Sequence, residues 1–352
     1  MIQYLKLGSL TRIRTGKLDA NAADDNGTYP FFTCSREPLS INTCSYDCEC
    51  VLVAGNGDLN VKYYDGKFDA YQRTYIIESL DKTKLMVKYL YYFLDLYVEI
   101  LRQQAIGGVI KYIKLGNLAD AIIPVPVIEK QREIIEIFEK CNGTIAYRQQ
   151  ELLLMDQLVK SRFIELFGDP VYNTLNLPTK PLSELGSLDR GRSKHRPRND
   201  PRLLGGPYPL IQTGEVSNAG LYITGYQNTY SELGLKQSKM WKAGTLCITI
   251  AANIAQTAIL TFDACFPDSV VGFIPTDEIN VIYMHYWFSF FQKILDEQAP
   301  QVAQKNINLK ILSELQVAIP SIEEQSDFAT FVEQVDKSKY HGMFAFEMGV
   351  AA

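Results

Sequence analysis

Residues 115–139 read LGNLADAIIPVPVIEKQREIIEIFE, and residues 309–333 read LKILSELQVAIPSIEEQSDFATFVE. At an offset of 194 positions the two stretches share Leu115/Leu309, Leu118/Leu312, Pro126/Pro320, Ile128/Ile322, Glu129/Glu323, Gln131/Gln325 and Glu139/Glu333. Solenoid repeats recur after only about 20 to 45 residues. The sequence therefore predicts two copies of a whole domain, each followed by a helix.

The two copies also begin alike. LKLGSL at 5–10 resembles LSELGS at 182–187, RTG at 14–16 resembles RGR at 190–192, and Tyr29-Pro30 matches Tyr208-Pro209. Between these segments the copies diverge strongly. A shared frame with different middles fits one scaffold that carries two different recognition surfaces.

Length and composition limit the protein class. A chain of 352 residues is long enough for two domains with their own cores. Its net charge of −5 gives no overall basic field that would attract nucleic acid, although a local patch is compatible with it. No apolar run approaches the roughly 20 residues that span a bilayer. The seven cysteines are irregularly spaced, and the sequence shows no signal peptide pattern. We therefore expect reduced thiols and a cytoplasmic location.

The pattern along the chain predicts an α+β fold. We expect a first β-rich domain at 1–126, a spacer helix at 127–170, a second β-rich domain at 171–320 and a C-terminal helix at 321–352. Each β-rich domain would carry one helix, at roughly 81–104 and 279–297. The predicted strands are Tyr29–Cys34, Cys50–Ala54, Thr74–Glu78, Tyr208–Thr213, Thr245–Ala251, Gln256–Phe262 and Val270–Ile274.

After Pro126 the apolar residues follow a 4-3 spacing for about five heptads, which is typical of a coiled-coil seam. The seam positions are Ile134, Phe138, Cys141, Ile145, Leu152, Met155, Val159 and Leu166, and the C-terminal helix repeats them with Phe328, Phe331 and Val335. We expect the first helix to continue across Asn142-Gly143 and the second to lie antiparallel to it. From Tyr340 onward the heptads stop, so the second helix is expected to be truncated after Lys339.

A basic run is the clearest chemical signal. Residues 190–202 hold six cations in thirteen positions, interrupted by glycine and proline, which indicates a mobile positive loop. Such loops neutralise phosphates, and arginine forks can read guanine. The alternative is a solvated loop without a ligand. The cations are Arg190, Arg192, Lys194, Arg196, Arg198 and Arg202, and the first copy has a sparser set of Arg12, Arg14, Lys17, Arg36, Lys62 and Arg73.

Amide side chains follow a predicted strand in both copies. AGNGDLN at 54–60 supplies Asn56 and Asn60, and AANIAQ at 251–256 supplies Asn253 and Gln256 in the corresponding place. Carboxamides can pair with the N6 and N7 atoms of adenine. A hairpin turn explains the same residues equally well.

Three possible catalytic or cofactor motifs fail on inspection. Cys44, Cys48 and Cys50 lack the paired knuckles of a zinc site. No glycine-rich loop stands between a strand and a helix, as a dinucleotide fold requires. Asp169-Pro170-Val171-Tyr172 is close to the Asp-Pro-Pro-Tyr motif of amino-methyltransferases, but it lacks the second proline and a cofactor loop. We expect no catalytic residues, metal or cofactor in this chain.

A family resemblance follows from the duplicated junction. In both copies Leu-x-x-Leu is followed by proline and then by glutamine at the start of a long helix, and QKNI at 304–307 precedes the second junction. Together with the central heptads, this resembles the specificity subunit of type I restriction–modification systems. The resemblance implies that each β-rich domain is a target recognition domain that reads one half of a split double-stranded DNA site. It also places Lys111, Lys305 and Asn306 in a loop near the DNA.

The resemblance implies partners as well. The helices would fix the gap between the half-sites and dock two methyltransferase subunits, which bind S-adenosylmethionine, while restriction subunits would join for cleavage. The expected docking residues are Ile134, Phe138, Ile145, Leu152, Met155, Val159, Phe328, Phe331 and Val335. Two alternatives stay open, namely a stand-alone adenine methyltransferase and a tandem protein-binding module without a role on DNA.

Overall fold

The computed structural model describes residues 2–251, 254–291, 294 and 307–350, with side chains through residue 339. The chain forms two compact units, Met1–Arg148 and Gln149–Ala352. Each unit mixes sheets and helices, which confirms the α+β prediction. In the described part of the chain, none of the helices has the length and apolar character that a bilayer crossing requires.

The elements of the first unit are β1 (Gln3–Lys6), β2 (Thr11–Thr15), β3 (Tyr29–Phe32), β4 (Leu39–Ile41), β5 (Tyr46–Ala54), β6 (Val61–Ala70), β7 (Thr74–Ser79), α1 (Val87–Gln104), α2 (Leu115–Ala119) and β8 (Ile122–Val125). Six of the strands form a mixed sheet with the order β2-β7-β5-β6-β3-β4, and β1 and β8 form a separate pair.

Strand β5 shows why this sheet forms. Successive side chains of a strand point to opposite faces. Val51 and Val53 accordingly join the core under α1, and Cys50 and Leu52 join a second apolar cluster on the other face. Both faces of β5 are therefore covered, which explains its continuous apolar sequence.

Helix α1 begins later than the sequence predicted. The carboxylate of Asp81 accepts hydrogen bonds from the backbone N–H and the hydroxyl of Thr83, and this local turn occupies 81–86. The helix starts at Val87 and buries Leu90, Leu94 and Leu101 against the sheet. The expected helix at 81–104 is thus correct at its C-terminal end and six residues too long at its start.

Helix α3 (Ile128–Phe167) is continuous across Asn142-Gly143, as predicted, and ends where Gly168 adopts a left-handed φ of +73°. The second unit then carries β9 (Thr179–Pro181), α4 (Leu182–Leu185), β10 (Gly186–Arg190), β11 (Leu204–Leu210), α5 (Thr213–Asn218), β12 (Tyr222–Ile223), β13 (Asn228–Tyr230), α6 (Glu232–Lys236), β14 (Met240–Trp241), β15 (Leu246–Thr249), β16 (Thr257–Leu260), β17 (Ala264–Cys265), β18 (Val270–Pro275), α7 (Val281–Phe288), α8 (Leu309–Glu314), β19 (Gln316–Ala318) and α9 (Ile322–Val350).

The second unit repeats the strand plan of the first. Strands β10-β18-β15-β16-β12 form one sheet, β13-β11-β17-β14 form another, and β19 pairs with β9. The parallel pairing of Leu210 with Cys265 has its counterpart in that of Phe31 with Asp69. This confirms the match between Tyr29-Pro30 and Tyr208-Pro209. Strand β6 of the first unit corresponds to β16 and β17 of the second.

Backbone hydrogen bonds correct the alignment at the starts of the two copies. Gly16 N–H donates to Thr74 O, and Gly191 N–H donates to Val270 O, so these glycines are equivalent. A Cβ atom would lie 2.1 Å from Ala70 O at Gly16 and 2.3 Å from Phe266 O at Gly191, which explains the glycine at both positions. The match of 14–16 with 190–192 that the sequence predicts is therefore one position out of register. The leading match of 5–10 with 182–187 is also shifted, because Leu7 N–H and Leu182 N–H make the equivalent bonds to Ala121 O and Leu315 O.

Within the second unit α3 and α9 lie antiparallel. Phe163 and Phe328 have ring centroids 5.5 Å apart, and Asp156 pairs with Lys339 at 2.6 Å. The residue numbers of the contacts therefore fall along α3 as they rise along α9. The backbone of α9 is helical through Val350, and the expected break after Lys339 is therefore wrong. With 29 residues α9 is still shorter than α3, which has 40.

Several predicted docking residues belong to the chain's own cores. Val159 and Phe328 are fully buried in the second unit, with Phe331 and Val335 packed beside them, because the helix faces that carry the heptads cover the sheet domain. In the first unit Ile134 and Phe138 pack against the core, and the Phe138 ring stacks on Tyr92 at 4.6 Å. The assignment of buried Val159 and Phe328 to partner docking is wrong. Ile145 is 40% exposed, Leu152 and Met155 are half-buried, and their docking role stays a prediction.

Candidate nucleic-acid interface

One edge of the main sheet is built in the same way in both units. It is formed by the loop after β2 or β10 and by the turn before β7 or β18. Lys17 N–H donates to Ala70 O in the first unit, and Arg192 N–H donates to Phe266 O in the second. The two cations are equivalent, and both side chains are exposed. We call these equivalent places the recognition edges.

The recognition edge of the second unit holds three arginines of the basic run. Arg198 Nη2 lies 2.5 Å from Asp268 Oδ1, and Arg196 Nη2 lies 3.7 Å from Asp268 Oδ2. Arg190 donates from Nε and Nη2 to the backbone oxygen of Asp268, at 3.0 and 2.6 Å. The expected mobile loop is thus tied to its own domain, because Asp268 stands in the turn beside it.

A second carboxylate organises the end of the loop. Asp200 accepts hydrogen bonds from the guanidinium of Arg202, at 2.7 Å from Nη2, and from the backbone N–H of Arg202. Its Oδ2 also lies 3.0 Å from His195 Nε2. The Arg202 side chain, with smaller help from His195, holds the pKa of the Asp200 carboxyl well below its usual range. Arg202 is consequently neutralised where it stands.

The patch is positive despite these pairs. Asp189 pairs with Lys239 at 2.9 Å and with Arg192 at 3.8 Å, and Lys239 foremost lowers the pKa of Asp189. Lys239 also lies over the Trp241 ring, 3.9 Å from its centroid. The basic run and Lys239 together supply seven cations, and their partner carboxylates are three, namely Asp189, Asp200 and Asp268.

In the first unit the predicted cations divide into two groups. Arg14 turns onto the sheet, where Nη2 lies 2.8 Å from Glu78 Oε1 and the guanidinium stands 4.9 Å from the Tyr46 ring centroid. Lys62 donates to Asn60 Oδ1, and burial lowers the pKa of this lysine. Both side chains are therefore engaged inside the domain.

The Asn60 and Arg36 side chains are also engaged. Asn60 Nδ2 donates to Cys34 O at 2.9 Å and to Asp58 O at 2.8 Å. Arg36 remains exposed but pairs with Asp58 at 3.1 Å, and this pairing lowers the pKa of the Asp58 carboxyl. Asn60 therefore serves the loop structure, while Arg36 keeps part of its guanidinium available.

Three predicted residues of the first unit meet at one place. Gly55 N–H donates to Arg73 O at 2.8 Å, Gly57 N–H donates to Lys111 O at 2.9 Å, and Asn56 lies between these two bonds. Lys111 and Arg73 have exposed side chains, and Asn56 is half-exposed. Arg12 is exposed on β2 of the same sheet. The structure thus brings Asn56, Arg73 and Lys111 together from three separate segments.

The amide loops of the two copies correspond, as the sequence predicted. Ala54 N–H donates to Asn60 O, and Thr249 N–H donates to Gln256 O, so Asn60 and Gln256 are equivalent positions. The Gln256 side chain is exposed. Asn253, Lys305 and Asn306 lie outside the described residues.

Two residues of this site, Asp268 and Lys239, were not predicted from the sequence. Asp268 stands 70 positions from Arg198, in a turn without any motif. The alignment of the two copies could have indicated Asp268. Once Gly16 is matched to Gly191, this alignment places the turn that contains Asp268 beside the basic run. For Lys239 no sequence signal was available.

The rejected motifs have local structural roles. Cys50 is buried in β5, and burial raises the pKa of its thiol. Asp169 Oδ1 accepts the N–H of Val171 in the turn that follows α3. Across the described residues, no cluster of three or more His, Cys, Asp or Glu side chains is arranged to hold a metal ion.

Comparison with known proteins identifies both copies. A family model described as the type I restriction modification DNA specificity domain matches residues 2–154 and again 177–341. The specificity subunit of the type I restriction enzyme EcoDI from Escherichia coli is 28% identical over an alignment of 364 positions. The alignment covers 94% of this chain and 80% of that relative. The MjaVIII specificity subunit of Methanocaldococcus jannaschii is 21% identical, with 95% and 86% covered.

Two solved structures share the fold. The S subunit of a type I restriction–modification system from M. genitalium superposes with a TM-score of 0.61 at 16% identity, covering 99% of this chain and 92% of that chain. A chain from a study of complex assembly and conformational transition in the type I system gives a TM-score of 0.58 at 16% identity, covering 99% and 94%.

Proposed function

On the premise that the chain belongs to the family of type I restriction–modification DNA specificity domains and is a specificity subunit, we propose a role for its two domains. Each domain binds one half of a split double-stranded DNA target. The observation that carries the proposal is the recognition edge, which recurs at equivalent positions and carries Lys17 in one unit and Arg192 in the other. A shared scaffold with different edge residues suits two different half-sites.

The charges of the second edge suit a phosphate backbone. The ion pairs of Asp268 and Asp189 are exposed on both sides, and such pairs contribute only about 0–1 kcal/mol each. A DNA phosphate can therefore replace a carboxylate at little cost. Arginine forks that become free can then read guanine O6 and N7.

The first edge has fewer cations and more amide character. Asn56 stands between Arg73 and Lys111, so that one carboxamide is flanked by two side chains able to contact phosphates. This arrangement suits adenine, whose N6 and N7 a carboxamide can contact as a pair. We therefore expect the two half-sites to differ in sequence.

The chain is proposed to bind and not to catalyse. In this proposal methyltransferase subunits dock on the helices, bind S-adenosylmethionine and methylate adenine. Restriction subunits join the complex for cleavage, and the whole assembly works in the cytoplasm. The exposed face of α3 is the better docking surface, because Leu154 and Leu158 are 55% and 52% exposed one helical turn apart. This assignment replaces the buried seam residues.

A binding experiment separates this proposal from its two alternatives. The full chain is purified with and without its partner subunits and incubated with duplex DNA and S-adenosylmethionine. We expect DNA binding by the chain and methylation only when the partners are present. Methylation by the chain alone would indicate a stand-alone methyltransferase, and absence of DNA binding in both samples would favour a protein-binding module.

A further inference from the structure

Asp268 contacts three arginines of the basic run. This single residue, in the turn between β17 and β18, holds Arg196 and Arg198 through its carboxylate and Arg190 through its backbone oxygen. Arg196 Nη1 also donates to the backbone oxygens of Ser193 and His195, at 2.5 and 2.9 Å, which fixes that guanidinium from a second side.

The contacts leave some donors of each guanidinium available. A guanidinium has five N–H donors. Arg198 contacts the carboxylate of Asp268 through one terminal nitrogen, and Arg196 uses one terminal nitrogen on Asp268 and the other on two backbone oxygens. The two side chains are 48% and 55% exposed. Two arginine forks are thus held side by side with free donors. A fork held in place loses less side-chain freedom when it binds a ligand.

The arrangement is particular to the second unit. Thr74 and Val270 accept equivalent hydrogen bonds, which makes Gln72 the residue of the first unit that corresponds to Asp268. Gln72 is uncharged, and the loop beside it has no arginine run. A carboxylate at this place therefore accompanies the arginines and is not required by the shared turn.

We propose that Asp268 is a positioning residue, which orients Arg196 and Arg198 so that the second domain discriminates between bases of its half-site. The proposal rests on the proposed function, since it presumes that the second recognition edge contacts DNA. It assigns to Asp268 an action through the two arginines and no contact of its own with DNA.

The test is a selection from a pool of duplexes with a randomised stretch, bound by the full chain with its partner subunits. Asp268→Ala removes the carboxylate. We expect base preference to fall about tenfold at positions of one half-site, since one good arginine–guanine pair separates bases by roughly that factor or more. The other half-site should be enriched as before. Affinity for non-specific DNA should rise, and its salt dependence should steepen by up to about one unit, because one negative charge is lost.

Two further variants separate orientation from charge and from folding. Asp268→Asn keeps an oxygen acceptor and loses the charge, so it should steepen the salt dependence like Asp268→Ala and retain more of the base preference. Asp263→Ala is the matched control, because Asp263 is a similarly exposed carboxylate that pairs with Lys242 away from the basic run. It should leave both half-sites unchanged.

The outcomes are distinct. Loss of preference in one half-site alone supports the positioning role. Unchanged selection by Asp268→Ala, or an equal loss in both half-sites, overturns it. A wild-type chain that enriches no motif contradicts the proposed function itself, and the inference with it.

Discussion

Gln325 makes in the second unit the hydrogen bonds that Gln131 makes in the first. Both side chains are fully buried. Gln131 Oε1 accepts Met86 N–H at 2.9 Å, and its Nε2 donates to Lys84 O at 2.7 Å and Pro126 O at 2.9 Å. Gln325 Oε1 accepts Asn280 N–H at 2.8 Å, and its Nε2 donates to Glu278 O at 3.3 Å and Pro320 O at 3.0 Å. The duplicated glutamine therefore joins the start of each long helix to the segment that leads into the domain helix.

Replacing either glutamine by leucine should destabilise its unit. The substitution leaves a buried backbone N–H and two carbonyl groups without partners, and each such group costs about 1–3 kcal/mol. We expect Gln131→Leu and Gln325→Leu each to lower the free energy of unfolding by at least about 2 kcal/mol in urea titrations. Exposed Gln157→Leu is the control, and equal stability of all three variants would show that the two glutamines are dispensable.

Arg192 should contribute one phosphate contact. Its side chain is exposed, and its nearest carboxylate is 3.8 Å away, so the charge is available to DNA. Arg192→Gln should weaken binding to all duplexes similarly and lower the slope of log affinity against log salt by about one. Lys180→Gln removes a cation that pairs with Glu278 and should leave the slope unchanged. Equal slopes for Arg192→Gln and wild type would place Arg192 outside the interface.

His285 should make the second unit sensitive to acid. Burial, with nearby Lys160 and Lys339, lowers the pKa of His285 to about 4, and Nδ1 shares a hydrogen bond with Thr257 Oγ1 at 3.0 Å. Because the folded-state pKa lies below the unfolded value of about 6.5, its contribution is fully present above pH ~6.5 and is lost as the pH falls towards about 4.

Urea titrations at pH 7 and pH 5 test this dependence. Wild type should lose up to about 1.4 kcal/mol per pH unit through this group. His285→Asn, which has no titratable ring, should lose less stability between the two pH values. A pH dependence identical in the variant would assign the effect to other groups.

The exposed face of α3 should bind a partner subunit. Leu154→Asp together with Leu158→Asp should reduce co-purification with the methyltransferase subunit, because charge is introduced into an apolar contact. Stability should change little, as both side chains are more than half exposed. Leu80→Asp, at another exposed leucine, is the control.

Val159→Ala should leave co-purification unchanged and destabilise the second unit by roughly 1.5 kcal/mol or more, since it removes two buried methyl groups and opens a cavity.

The sequence was a good guide to strands and a poor one to side-chain partners. Apolar runs such as 50–54 and 270–274 became buried strands because their composition leaves few other ways to cover them. The start of the second copy was placed out of register because Arg14 and Arg190 look alike, while the backbone matches Gly16 with Gly191.

The candidate site shows the same limit. Nothing local to Arg14 indicates that it packs on Tyr46, and nothing near Arg198 indicates that Asp268 will meet it. Such pairs depend on which turns the sheet brings together, and that information is non-local. The heptad stripe was recognised correctly as a helix face, but its ends are buried in the chain's own domains.

Sequencing of methylated bases in cells that carry this chain and its partner subunits tests the central claim most directly. Two domains that each read one half-site should yield methylated adenines in a motif of two fixed parts separated by a gap of constant length. Residues 186–275 contain the two large sheets of the second unit and its recognition edge. Exchanging this segment for the matching segment of a related subunit should change one part of the motif and leave the other intact. A single uninterrupted motif, or a motif unaffected by the exchange, would contradict the account.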